Sequence, residues 1–234
     1  MAENIADVYL AGLRVLWEAL DDDAWDEIGE DPLPLLAMAH GASDADLARL
    51  RTAYPSCPEV LVELLRRVDG TDFGVLGSDV EDGGFRYCLT SVDQILKNTA
   101  DDRRSKTIRE VYGDDLEEWM PVVRVETMAH YRAANAIGVD AFHKLHGYGK
   151  GNLDDRIDPD IPMNRWLHFA DDWANNGGSS QLFVDFDPLG DGHVGQIVRY
   201  LHDPDSYAVI ADSFDEYLQQ LIDAGYPFAL PDDW

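Results

Sequence analysis

Apolar residues recur at helical spacing near both ends of the chain, and from Trp166 onward they gather in short segments separated by Asp/Gly/Asn/Pro turns. Between 5 and 20, Tyr9, Leu13, Leu16, Trp17 and Leu20 fall on one stripe and predict an amphipathic helix. The stretch from Gly29 to Gly41, interrupted by Pro32 and Pro34, reads as a loop with one turn. Ser43 followed by Asp46 forms a capping pattern ahead of Leu47, Leu50 and Tyr54, giving a second helix that Pro55 stops. Pro58 then stands where a first helical residue tolerates proline. Val60, Leu61, Leu64, Leu65 and Val68 follow as the stripe of a third helix, with Gly70 as its cap.

From Asp72 to Leu89 the chain turns to Gly, Asp and short apolar alternation, which predicts one or two short strands, and Ser91 with Gln94 caps a short helix after them. The mixed-charge stretch Asp101 to Glu118 reads as helical and Val122 to Val125 as a strand. Gly147 to Pro162 is an irregular Gly/Asp/Pro-rich segment. Trp166 to Ala170, Gln181 to Phe186, Val194 to Leu201 and Tyr207 to Ala211 then read as four strands. The turns between them are at Asp171 to Ser180, Asp187 to Gly192 and Asp203 to Ser206. A closing helix carries Phe214, Tyr217, Leu218, Leu221 and Ile222 behind Ser213 and ends at Gly225 and Pro227. Helices, a run of strands and a last helix predict an α+β fold, an antiparallel or mixed sheet backed by helices. We read residues 1–234 as a single domain, with 1–42 an N-terminal helical extension and about 100–164 an irregular insertion.

Charge changes this picture most. Aspartate and glutamate number 46 against 18 lysines and arginines, a formal net charge of −28. A phosphate ligand needs a basic groove, so nucleic acid and anionic membrane are excluded as expected partners. Spread evenly over a folded surface, the net charges would lie roughly 20 Å apart, beyond a Debye length of about 8 Å, so only clusters could steer a partner. Runs of acids occur at Asp21 to Asp23, Asp79 with Glu81 and Asp82, Asp114 and Asp115 with Glu117 and Glu118, Asp154 and Asp155, and Asp171 and Asp172. They serve either as solvated faces of a host with an acidic proteome or as a surface for a basic protein. The apolar stretch Val8 to Leu20 carries Arg14 and Glu18, and Cys57 and Cys88 are far apart. No leader or membrane span is therefore expected, and a cytoplasmic location is.

Candidate chemistry is sparse. The run Asp185 to Gly192 looks like a calcium loop, but Leu189 and Gln196 occupy places that need oxygen ligands of the right kind, so a tight turn explains it better. His143 with His146, and His202 with Asp203 and Asp205, lack zinc spacing. The glycines of Gly147 to Gly151 lack the ending of a phosphate loop, and no nucleophile elbow is present. No catalytic residue, metal or cofactor is expected. Paired carboxylates such as Asp171 and Asp172 would serve a hydrolase only if two acids converged in a deep pocket.

Three segments together resemble one family: 43–73 (SDADLARLRTAYPSCPEVLVELLRRVDGTDF), 166–172 (WLHFADD) and 183–222 (FVDFDPLGDGHVGQIVRYLHDPDSYAVIADSFDEYLQQLI). They are similar to the SUKH superfamily, which includes yeast cell-wall assembly regulators and bacterial immunity proteins. The resemblance leaves about 100–164 unaccounted for. It implies an α+β domain, no catalytic residues, and action by protein–protein contact. With the charge, it favours an immunity protein that neutralises a basic polymorphic toxin such as a nuclease. A regulatory or scaffolding role in cell-wall or glucan synthesis stays open. The candidate contact residues are Asp72 and Phe73, Asp171 and Asp172, Asp187 and Asp191, and Asp203 and Asp205, each of which has an alternative reading as a turn-former.

Overall fold

In the computed structural model, residues 4–20, 31–78, 86–118, 120–121, 152–172, 180–202 and 205–230 are described. The chain forms α1 (Ile5–Glu18), α2 (Pro32–Met38), α3 (Asp44–Ala53), α4 (Glu59–Arg67), β1 (Leu76–Gly77), β2 (Arg86–Leu89), α5 (Val92–Thr99) and α6 (Ile108–Tyr112). These are followed by β3 (Met120–Pro121), β4 (Asn152–Leu153), β5 (Leu167–Asp172), β6 (Ser180–Asp185), β7 (Gln196–Leu201), β8 (Ser206–Ala211) and α7 (Phe214–Asp223). The strands make one sheet in the order β1-β2-β5-β6-β7-β8-β4-β3. Pairing is antiparallel from β1 to β8, whereas β4 runs parallel to both β8 and β3, so the sheet is mixed. The α+β fold read from the sequence is the observed one.

Alternation along the central strands sends side chains to two separate cores. Leu167, Phe169, Leu182, Val184 and Ile197 pack with Tyr9, Leu13 and Trp17 of α1, Leu61, Leu64 and Leu65 of α4, and Phe214, Tyr217 and Leu221 of α7. On the opposite face Trp166, Phe183, Val198 and Tyr207 pack with Ile108, Leu116 and Ile157. The irregular stretch thus has a definite use in its described parts: it covers the second face of the sheet and extends its edge. Asp154 and Arg156, both largely buried, lock that cover by a 2.8 Å ion pair, and Arg156 also donates to the Val209 carbonyl of β8 at 3.1 Å.

Three local expectations change. Gly29 to Gly41 contains a helix, α2, because the Asp31 side chain accepts from Leu33 N and Pro32 supplies the φ of a first helical position. Asp101 to Glu118 is not one helix. It breaks into 3₁₀ turns at 102–105 and 113–118 around the five-residue α6, which Gly113 ends at a φ of 55°. Asp171 and Asp172 do not open a turn. They close β5, where they pair with Cys88 and Tyr87 of β2. The strand expected at Val122 to Val125 lies outside the described residues.

Candidate partner-binding site

The chain leaving α4 has to turn back onto β2, and a glycine and five hydrogen bonds fix how it does so. Gly70 sits at φ 84°, and a Cβ there would lie 2.8 Å from the Cβ of Ser91 and 3.0 Å from its backbone nitrogen, so only glycine fits. Asp69 accepts a 2.8 Å hydrogen bond from Val92 N in the first turn of α5, while its own N–H donates to the His40 carbonyl. Thr71 N donates to the Leu89 carbonyl at 2.9 Å, and the Thr71 hydroxyl accepts from Leu89 N at 3.0 Å and donates to the Phe73 carbonyl at 2.7 Å. The segment 69–73 is thereby laid along β2 like a short extra strand.

Between this segment, the end of α2, the start of α5 and the end of β5 lies an open cleft of about 610 Å³. Leu35, Met38, Ala39, Phe73 and Leu89 supply its apolar lining, and Asp69, Asp72 and Asp171 its carboxylates, together with Cys88, Thr90, Ser91 and Gln94. Among the described residues no lysine, arginine or histidine lines it. Met38 is exposed, at 64%. Burial, together with Asp72, Asp171 and Asp172, pushes the Cys88 thiol up to about 12, so it is a neutral group among acids. Burial also raises Asp69, against the opposing hydrogen bond from Val92. For Asp171, burial works against ionisation but is outweighed by hydrogen bonds from His168 and Gln181 and by the charge of Arg104, and its carboxyl is held below the usual range.

The structure brings some of the expected contact residues together and separates the others. Asp72, Phe73 and Asp171 come together in the cleft. Within it Phe73 is buried against Trp17, with ring centroids 6.3 Å apart, so its ring belongs to the core and only an edge of it is available to the cleft. Asp172, on the opposite face of β5 from Asp171, is 8% exposed. Asp187 and Asp191 lie at the opposite end of the strands from Asp171, whereas Asp205, which leads into β8, lies at the same end as Asp171 but three strands away. Asp187 forms a bidentate pair with Arg165 at 2.9 and 3.0 Å, and Asp191 is exposed in the β6–β7 connection. Asp205 accepts from the Tyr200 hydroxyl at 2.6 Å and lies 2.9 Å from His202 Nδ1. Asp203 lies outside the described residues.

Beneath that connection the buried Asp185 accepts from Asp187 N and Gln196 Nε2, each at 2.9 Å. This is a turn-stabilising carboxylate rather than a calcium ligand. Among the described residues no three His, Cys, Asp or Glu side chains converge closely enough to hold a metal ion, and no helix is long and apolar enough to cross a membrane.

Sequence reasoning missed Asp69, Met38, Cys88 and Gln94, which reach the cleft only through tertiary packing. It also missed His168 and Arg104, which act behind it. Asp69 did carry a signal, an acid next to the glycine that ends a helix, but nothing local pointed to its partner on α5. None of the curated proteins matches the chain. Residues 41–220, which hold every residue lining the cleft except Leu35, Met38 and Ala39, match the SMI1 / KNR4 family (SUKH-1), and the chain belongs to that family.

Proposed function

We propose that this protein is an immunity protein that neutralises a basic toxin, such as a nuclease, by protein–protein contact. Membership of the SUKH-1 family supports an immunity-protein or KNR4-like role, and the family is generally non-catalytic. One observation carries the choice of a basic partner: an apolar cleft that, among the described residues, is rimmed by three carboxylates and lined by no cationic side chain. A toxin that grips nucleic acid presents the complementary surface, and opposed charges speed the encounter roughly 10- to 1000-fold at low salt. The bound chain then occludes that surface. A buried core of apolar side chains within a polar rim is also how protein interfaces are built, and Met38 beside Asp69 and Asp72 reproduces it on a small scale.

The test is co-expression with the toxic domain encoded by the neighbouring reading frame. Restored growth and a stable 1:1 complex support the reading. Unrelieved toxicity from a soluble, folded pair, together with capture of wall-synthesis enzymes, would favour the KNR4-like alternative.

A further inference from the structure

Asp171 is held differently from the other acids of the cleft. Gln181 Nε2 donates to its Oδ1 at 2.9 Å, and His168 Nε2 lies 3.1 Å from the same oxygen. On the other side of the imidazole, Asn98 Nδ2 and Arg104 Nη2 direct donors at Nδ1, at 2.6 and 3.1 Å. Neither of those groups can accept there, so Nδ1 is the acceptor and Nε2 carries the proton. His168 is fully buried, and burial holds it below its ordinary value, against the opposing pull of Asp171. The same Nε2 also lies 3.1 Å from the Ala170 carbonyl, so its one N–H is shared between that carbonyl and Asp171 Oδ1, and the imidazole, locked in one tautomer, joins Gln181 in holding one oxygen of the carboxylate. Among the described residues no donor reaches Oδ2, and Asp171 remains 36% exposed at the cleft wall.

We propose that Asp171 is the specificity-determining acceptor of the cleft. Its Oδ2 takes the guanidinium or ammonium of a basic side chain that enters beside Cys88, between Asp171 and Asp72, while an apolar neighbour on the same partner segment rests on Met38 and Leu35. Charge complementarity selects this occupant. An anion would face three carboxylates, and a metal ion lacks a converging ligand set. A wholly apolar segment would further desolvate the carboxylate of Asp171 without offering its Oδ2 a donor. Pinning Oδ1 in advance matters because the acceptor is ordered before binding, so less conformational entropy is lost when the complex forms. His168 is then a positioning residue: it touches Asp171 and not the partner. The proposal rests on the reading of this chain as a binder of basic proteins and narrows it to one recognition geometry.

The probe is the peptide acetyl-Arg-Leu-Arg-Leu-amide, titrated into the full chain and followed by amide chemical shifts, with acetyl-Glu-Leu-Glu-Leu-amide as its acidic counterpart. The basic peptide is expected to shift Thr71, Cys88, Asp171 and Gln94 saturably, and the acidic one to leave them unmoved. Asp171→Asn should weaken the basic peptide at least tenfold, and Asp46→Asn, on α3, less than twofold. His168→Gln should weaken it several-fold, an effect that vanishes when Asp171 is already Asn. Met38→Lys, at an exposed position that cannot disturb the core, should weaken it about tenfold and provides a test independent of the stability of the Asp171 variant.

Shifts spread over other acidic faces, or Asp171→Asn and Met38→Lys binding within twofold of wild type, would overturn the proposal. If Asp171→Asn neutralises the toxin with full potency, the cleft geometry fails and the immunity reading stands. If the peptide occupies the cleft and no neighbouring toxin is neutralised, the immunity reading fails and the cleft geometry stands.

Discussion

The α3–α4 face and the cleft are both rich in acids, and they differ in what surrounds those acids. On the helices, Arg49 pairs with Asp46 and Asp93, Arg51 with Glu59, Arg66 with Asp44 and Glu63, and Arg67 with Asp7 and Glu63. These pairs are mostly exposed, so each adds little stability, but their four arginines offset most of the charge of the six carboxylates within a Debye length of about 8 Å. Among the described residues the cleft walls carry carboxylates and an apolar lining but no cation, and the charge of Arg104 reaches Asp171 only from behind them. An approaching basic surface therefore meets compensated charge on one side and a net attraction on the other. A count of acids along the sequence does not distinguish the two. What distinguishes them is whether arginines stand one helical turn away or across a helix–helix contact, which only the fold decides.

The most direct way to break this comparison is to neutralise each region in turn. Asp72→Asn with Asp171→Asn should weaken the basic peptide roughly a hundredfold, within the range found when charged partners at an interface are truncated. Asp44→Asn with Glu59→Gln should change it less than about twofold. Calorimetry at low and high salt measures both, and equal losses from the two double variants would mean that bulk charge, and not the cleft, attracts the partner. Next in size is Gly70→Val. A β-branched residue at φ 84° costs roughly 1–3 kcal/mol from the backbone alone, and its Cβ would also press on Ser91. Urea unfolding should show at least that loss, whereas Ala48→Val on the exposed side of α3 should cost under about 1 kcal/mol.

Much of the fold was legible because its signals are local. Ser43, Ser91 and Ser213 each accept from a backbone N–H three residues on, and the apolar stripes behind them are the buried faces of α3, α5 and α7. The four strands read between Trp166 and Ala211 are present as β5 to β8, largely buried along their length. Illegibility began where partners are distant in sequence. Asp154 next to Asp155, and Asp171 next to Asp172, look like solvated pairs. In each pair one acid is buried, Asp154 in its contact with Arg156 and Asp172 on the far face of β5. Half of the cleft was visible as Asp72 and Asp171. The other half depends on α2 and α5 arriving beside them, and on His168, which in the sequence is one polar letter in a buried strand.

His168 sharpens the comparison through pH, since no group on the α3–α4 face is buried in the same way. Its folded value lies below the ordinary value of about 6.5, so below that pH the unfolded chain binds a proton that the folded chain resists. Stability is full above about 6.5 and declines as pH falls toward the folded value, where the imidazolium would face Arg104 across Nδ1. His168→Gln cannot take up that proton. The stability difference between wild type and variant should therefore shrink steadily from pH 7.5 to 5, as read from urea midpoints. Asp69 and Asp185, whose values are raised by burial, respond in both proteins alike and cancel in the difference. A difference independent of pH would mean that His168 titrates alike in the folded and unfolded chain, and one that grows as pH falls would mean that the native state favours the imidazolium, so that the assigned tautomer is wrong.

The smallest expected effect tests the compensated side. Arg51→Ala removes the partner of Glu59 on an exposed surface, where both side chains keep 40% or more of their accessibility. Such pairs contribute about 0.2–1 kcal/mol at most, so the thermal midpoint should move by only a few degrees. The same change uncovers a carboxylate on the helix face without altering the cleft. If the cleft directs binding, the peptide's dissociation constant stays within about twofold, and only its association rate at low salt rises slightly, because added charge far from the contact steers without holding. A tenfold gain in affinity would mean that an uncovered carboxylate on a helix binds as well as a pinned one in the cleft, and the distinction between the two faces would disappear.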